Sequence, residues 1–353
     1  MTIGLSFLLG LLAGSVAHFM LGLWWPIAVL VGLFAWLAFG LLDVKMDSTF
    51  TLLGAMILVF CASLSAMVLR AGDQLSGLQY SDTQAEDGTE FRYPVPLLGN
   101  ARYGEAVYKA SGCAACHTDK KGKGASLAGG RKLKTPFGIF FSTNITPDPE
   151  YGIGKWGDRD FIRALRQGVA PDGRHYFPVF PYPSYTGITD RDLLDLKAYL
   201  FTRPPAKTAN KPHDTVPPFG WRFLVPLWKS LYFTPGPFRA DPGRPGQRNR
   251  GAYLVTALGH CSECHTPRDG LGGAKAGMAL AGTTKGPEGG LIPNITPDKE
   301  TGIGGWSDGD LHEILKTGML PDGDFVGDVM GEVVDETTGR LKIADLKAII
   351  LYL

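Results

Sequence analysis

Hydrophobic positions along this chain fall into two regimes. Residues 3–23, 27–42 and 50–69 are almost unbroken apolar runs, and up to residue 72 the only Asp, Glu, Lys or Arg residues are Asp43, Lys45, Asp47 and Arg70. Crossing a bilayer takes about 20 apolar residues, with about 17 near the lower limit. The first and third runs meet that length. The second meets it once Trp24 and Trp25 sit in the interface, where tryptophan is enriched. A secretory signal is the alternative for the first run, but no basic segment precedes it and further apolar runs follow. The pattern therefore predicts three transmembrane helices. Beyond residue 100, apolar residues recur at helical spacing over 101–109, 158–166 and 190–200, then over 250–258, 308–316 and 344–353. Loops rich in glycine and proline separate them, and Asp158, Asp160, Asp308 and Asp310 stand near helix starts, as the helix dipole prefers. The whole reads as all-α.

The two helical sets are copies of one unit. Asn144-Ile-Thr-Pro-Asp148 recurs as Asn294-Ile-Thr-Pro-Asp298, Gly152-Ile-Gly154 with Trp156 recurs as Gly302-Ile-Gly304 with Trp306, and Pro171-Asp-Gly173 recurs as Pro321-Asp-Gly323. The constant offset sets the expected organisation: a membrane anchor over 1–71, a linker over 72–100, one domain over 101–203, a connector over 204–248 and a second domain over 249–353. The connector is rich in proline and carries an apolar stretch from Phe219 to Phe233. It is expected to pack between the domains, on the membrane surface or on a partner.

Net charge is +1, which gives no reason to expect a nucleic-acid partner. Of five cysteines, Cys61 lies in an apolar run and reads as a small buried hydrophobe. The other four form Cys113-Ala-Ala-Cys116-His117 and Cys261-Ser-Glu-Cys264-His265, each opening one copy of the repeat. Cysteines three apart reach the two vinyl groups on one porphyrin edge, and the histidine that follows is placed beneath the iron. Half of a zinc site would also contain such cysteines, but two such pentapeptides heading two copies of one domain favour haem. Two covalently bound haems c are expected, attached at Cys113, Cys116, Cys261 and Cys264, with His117 and His265 as axial iron ligands. A small helical domain behind that motif is the pattern of a class I cytochrome c.

The sixth ligands are expected to differ. In the second domain Met330 follows the Pro321-Asp-Gly323 turn and is preferred over Met319 and Met278. The equivalent position in the first domain is Phe180, and no methionine lies between Cys113 and Leu200. The first iron then takes another residue, a neighbouring subunit's ligand, or none. His175 is the remaining histidine there; it is either that ligand or a surface residue beside the pocket. Covalent haem attachment takes place outside the bacterial cytoplasm. The haem domains are thus expected in the periplasm, anchored in the cytoplasmic membrane, with Lys45 on the cytoplasmic side as the positive-inside rule prefers. His18, inside the first apolar run, reads either as a mark of a quinone or haem b site or as an interfacial histidine.

Residues 101–353 resemble the cytochrome c subunits of membrane-bound bacterial dehydrogenases, such as those oxidising alcohols or gluconate. The resemblance is carried by Gly259-His-Cys-Ser-Glu-Cys-His-Thr-Pro-Arg268, both Asn-Ile-Thr-Pro-Asp runs, Phe180-Pro-Tyr-Pro-Ser-Tyr185, and the aromatic segment around Trp221 and Trp228. It implies a membrane-anchored diheme carrier taking electrons from a dehydrogenase's catalytic subunit and passing them to the respiratory chain, with lipid and quinone as further contacts. Such subunits carry three haem domains and enter the periplasm behind a cleaved signal, and they place a methionine near the Pro-Tyr-Pro-Ser-Tyr loop where Phe180 and Ile188 stand here. Two other functions are compatible with the motifs: the diheme subunit of a respiratory oxidase, and a diheme peroxidase acting at an open first iron. A peroxidase needs an acid–base group over that iron.

Overall fold

The computed structural model describes residues 98–286 and 289–353. The described residues belong to one compact unit that runs to Leu353. The three expected membrane helices lie outside the described residues, and among the described residues no helix is long and apolar enough to cross a membrane.

The first lobe runs α1 (Ala101–Ala110), α2 (Cys113–His117), β1 (Lys132–Thr135), β2 (Gly138–Phe141), α3 (Asp158–Gln167), α4 (Tyr182–Tyr185) and α5 (Asp190–Leu200). The connector adds β3 (Asp214–Thr215) and α6 (Val225–Tyr232). The second lobe runs α7 (Gly246–Tyr253), a π-helical turn over Leu254–Leu258, α8 (Ser262–His265), α9 (Asp308–Thr317), α10 (Asp328–Glu336) and α11 (Ile343–Tyr352).

Local chemistry sets the helix ends. The Asn100 side chain accepts from Arg102 N–H at 3.0 Å to start α1, and Thr189 accepts from Asp192 N–H at 3.2 Å to start α5. Gly157 N–H donates to the Asp160 carboxylate at 3.1 Å, and Ser307 N–H donates to Asp310 at 2.9 Å, so α3 and α9 begin alike. Both end on a glycine in the left-handed region, Gly168 and Gly318.

In each lobe the first helix crosses the last, α1 on α5 and α7 on α11. Glycine makes the crossing possible. A Cβ on Gly104 would lie 1.8 Å from the Asp195 carbonyl oxygen, and one on Gly251 would lie 1.9 Å from that of Ala348. Gly251 stands one residue further from its haem motif than Gly104 does, and the π turn absorbs that extra residue. One apolar core runs through both lobes: Val107, Leu193 and Leu196 belong to the same buried cluster as Leu254, Leu258, Leu346 and Ile349. Burying a leucine of this kind is worth about 1.5–3 kcal/mol, so the lobes stabilise each other.

The all-α expectation is corrected. β1, β2 and β3 form a three-stranded antiparallel sheet in which Lys132 pairs Phe141 and Ile139 pairs Asp214. Lys132–Thr135 alternates exposed and half-buried positions, but Gly138–Phe141 is a short apolar run without alternation, so the hairpin does not stand out beside the helices. The third strand comes from the connector. Phe140, Phe177 and Val225 then close a second small core, which ties the connector to the first lobe.

Candidate functional site: two haem-attachment turns

Each Cys-x-x-Cys-His motif forms a single helical turn. Residues three apart lie on one face of such a turn, so Cys113 and Cys116 form one pair of sulphurs and Cys261 and Cys264 another. None of the four is in a disulfide. Burial, with the neighbouring cysteine as a smaller cause, pushes the Cys113 and Cys261 thiols up to about 12. Burial likewise raises Cys264, to about 11, and Cys116. Cys116 has open surface by area, yet protein surrounds its sulphur closely enough for burial to dominate.

The two histidines are held the same way. His117 Nδ1 lies 2.6 Å from the Thr143 carbonyl oxygen, and His265 Nδ1 lies 2.8 Å from that of Pro293. A carbonyl only accepts, so Nδ1 carries the proton and Nε2 keeps its lone pair for a metal. Burial holds both imidazoles below the ordinary histidine value, partly offset by these hydrogen bonds, so both are neutral near pH 7. Gly129 N–H donates to the His117 carbonyl at 2.8 Å and Gly282 N–H to the His265 carbonyl at 2.7 Å. Two residues upstream, Leu127 (φ 62°) and Leu280 (φ 63°) both take a left-handed backbone that leucine disfavours. Thr118 and Thr266 hold those leucines through Oγ1 at 3.1 and 3.0 Å. Strain repeated at one position in both copies belongs to the site.

The Asn-Ile-Thr-Pro-Asp repeats supply the orienting carbonyls. Asn144 follows Thr143, and its side chain accepts from Thr146 N–H at 2.9 Å; Asn294 follows Pro293 and accepts from Thr296 N–H at 2.8 Å. Asp148 and Asp298 each gather two further backbone N–H groups. These motifs are scaffolding that aims an oxygen at each histidine.

These features fit a covalently held haem: paired unbridged thiols on one face and an imidazole with its tautomer fixed for metal binding. A zinc cage finds no support, since no three His, Cys, Asp or Glu side chains converge on a metal position among the described residues.

Met330 lies on α10, half-buried, one turn before Val334, which packs near Gly318 of its own lobe. The helix's Glu332 and Glu336 instead reach the first lobe, pairing with Arg131 at 2.6 Å and Lys120 at 2.5 Å. His175 lies against the connector. Its Nδ1 is 2.9 Å from Lys229 Nζ, which also donates to the Gln167 and Gly168 carbonyls at 2.6 and 3.0 Å. Burial, then the Lys229 charge, pushes His175 down to about 4, and burial pushes Lys229 down to about 7. Lys229 was not expected here; the one signal was that it and Arg222 are the two charges within the connector's apolar stretch. Phe180 sits among the rings of Tyr176, Tyr182 and Tyr185.

The family described as cytochrome c oxidase, cbb3-type, subunit III matches residues 99–200. A diheme cytochrome c-type protein of Cereibacter sphaeroides is 45% identical over 261 residues, covering 73% of this chain and 86% of that protein. The fructose dehydrogenase cytochrome subunit of Gluconobacter japonicus is 40% identical over 69% of this chain and 50% of its own length. The gluconate 2-dehydrogenase cytochrome c subunit of Pantoea cypripedii is 35% identical over 82% of this chain and 64% of its own length. The chain thus spans roughly half to two thirds of these two dehydrogenase subunits.

Proposed function

The chain belongs to the diheme c-type cytochromes, and on that premise we propose that it is the electron-transfer subunit of a periplasmic dehydrogenase, passing electrons towards the respiratory chain at the bacterial cytoplasmic membrane. It carries two haems c and serves electron transfer. Each bound haem supplies a one-electron iron(III)/iron(II) couple. The chain's own residues fix the histidine tautomers, enclose the thiol pairs and keep the two lobes on one core. The likeness of the two attachment turns, each with Nδ1 tied to a backbone carbonyl, carries the reading.

A dehydrogenase partner is supported by the names of the fructose, alcohol and gluconate dehydrogenase cytochrome subunits, and a membrane location by the apolar composition of residues 1–71. Lipid is then a contact, and quinone is one acceptor to test. Cys113, Cys116, Cys261 and Cys264 make the thioethers, His117 and His265 bind the irons, and Met330 completes the second. For His175 to bind the first iron it must use Nε2. Nδ1 must then donate to Lys229, which requires that lysine as the neutral amine. An oxidase subunit is the second reading, favoured by the cbb3-type match over residues 99–200.

Purification from membranes tests the choice. A catalytic dehydrogenase subunit should co-purify, and its substrate should reduce both haems. Co-purification of an oxidase core would transfer the assignment to the second reading.

A further inference from the structure

The two attachment turns meet across the seam between the lobes. Cys116 lies close enough to Cys264 for a charge on one to disfavour a charge on the other. Ser184 Oγ donates to Glu263, within the second motif, at 2.7 Å, and Glu263 is held in turn by Arg268 at 2.5 Å. Arg131 donates to the Ala115 carbonyl inside the first motif while pairing with Glu332 of the second lobe at 2.6 Å. Gly187 of the first lobe presses on the π turn, where its Cβ would lie 2.9 Å from that of Ala257.

One residue in this seam stands out. The position before each motif is left-handed in both lobes: Gly112 at φ 61° and His260 at φ 40°. Both carbonyls accept from the N–H two residues into the motif, Ala115 at 3.1 Å and Glu263 at 2.9 Å. The first lobe places glycine there, which adopts this conformation freely. The second places a side chain that strains it. A strained backbone persists only where its surroundings fix it, and here the surroundings are the other lobe. The His260 ring stands edge-on to Tyr185, with centroids 5.3 Å apart at 72°. The Tyr185 hydroxyl donates at 2.7 Å to the Ser111 carbonyl, two residues before Cys113.

We propose that His260 is a positioning residue that keys the second haem-attachment turn to the first through Tyr185 and Ser111, making the two haems one electronically coupled pair. The proposal deepens the electron-relay reading and rests on it. It gives a reason for a side chain rather than glycine at this position: the ring adds a contact with the first lobe beside the Ser184–Glu263 hydrogen bond.

The test uses the full-length membrane-extracted holoprotein and needs no partner enzyme. In the wild type, Soret circular dichroism should show a split couplet from two haems held in fixed relation. His260→Gly keeps the backbone conformation and removes the ring. It should retain both covalent haems and their axial-ligand spectra, lose most of the couplet, and leave each haem's midpoint potential independent of the other's oxidation state. If His260 were merely tolerated, the glycine variant would be more stable and its couplet unchanged; that result overturns the proposal, as does a wild type without a couplet. Should the glycine variant fail to mature, His260→Asn, which accepts the left-handed region, and Tyr185→Leu, from the opposite side, must each lose the couplet. Retention in either refutes the keying role. A dehydrogenase that fails to reduce a protein with an intact couplet would sink the relay reading alone.

Discussion

The His117 imidazole donates its Nδ1 proton to the Thr143 carbonyl at 2.6 Å, and His265 repeats the arrangement with Pro293 at 2.8 Å. Such a bond raises the basicity of the ligating nitrogen and favours the oxidised iron. The residue after each carbonyl is an asparagine that ties the loop. Asn144→Ala should loosen the Thr143 carbonyl and raise the first haem's midpoint potential more than the second's; Asn294→Ala should raise the second's more than the first's. Asn144 is buried and also donates to the Ala206 and Thr208 carbonyls, so its loss should cost about 1–3 kcal/mol of stability. Asn294 should cost less. Redox titration with thermal unfolding checks both halves.

Covalent haem should be countable by turn. Replacing Cys113 and Cys116 together with serine should leave one haem per chain, and replacing Cys261 and Cys264 should leave the other. Mass spectrometry of the denatured protein reads the count. Two haems surviving either double substitution would contradict attachment at these turns.

Helix crossing gives a stability prediction independent of the haems' chemistry. The Gly104 Cβ position lies 1.8 Å from a carbonyl oxygen on the partner helix, and backbone cannot yield as a side chain can. Gly104→Ala should therefore force α1 off α5 and destabilise the fold by about 1–3 kcal/mol or more. Gly251→Ala should act alike on α7 and α11. A thermal midpoint equal to the wild type's in either variant would show that the crossing is looser than described.

Much of this was readable in the chain because its chemistry is local. Cysteine, cysteine and histidine sit within five residues, and the recurring Asn-Ile-Thr-Pro-Asp runs announce a duplicated unit. The features missed are those imposed from a distance. Leu127 and Leu280 take left-handed backbone because threonines beyond the haem motifs hold their N–H groups, and nothing in leucine's own preferences signals it. The sheet escaped because its third strand arrives from the connector to pair with Gly138 and Ile139. Lys229 reads as a surface charge until Gln167, Gly168 and His175 are seen around its ammonium.

His213 gives a pH prediction. Its Nδ1 accepts from Phe141 N–H at 3.2 Å, joining the connector to β2. Burial, then the nearby Arg222 charge, holds this imidazole below its ordinary value of 6.5. As pH falls below 6.5 the unfolded chain takes up the proton first, so the folded state loses stability from there down through the lowered value. His213→Gln keeps an acceptor but cannot titrate. It should flatten this part of the stability-against-pH curve, measured by thermal melts across mildly acidic buffers. An unchanged slope would place the titrating group elsewhere.

The two irons should differ in their sixth position, and Met330 is where that difference can be read. The residue lies on α10, one turn before Val334 on the side facing its own lobe, while Glu332 and Glu336 tie the helix to the first lobe. A thioether ligand favours the reduced iron and raises its potential. On the proposed assignment, Met330→Leu removes that ligand while keeping an apolar side chain on the helix. The second haem should then fall in potential and bind carbon monoxide when reduced, and the first should move only by its coupling to the second. The first lobe has Phe180 at the equivalent place and no methionine between Cys113 and Leu200, so its haem should be the lower-potential one in the wild type. Titration monitored at each haem's absorbance, with and without carbon monoxide, separates the cases. If Met330→Leu instead shifts the first haem and spares the second, α10 serves the neighbouring lobe, to which its glutamates are tied, and the ligand assignments must be exchanged.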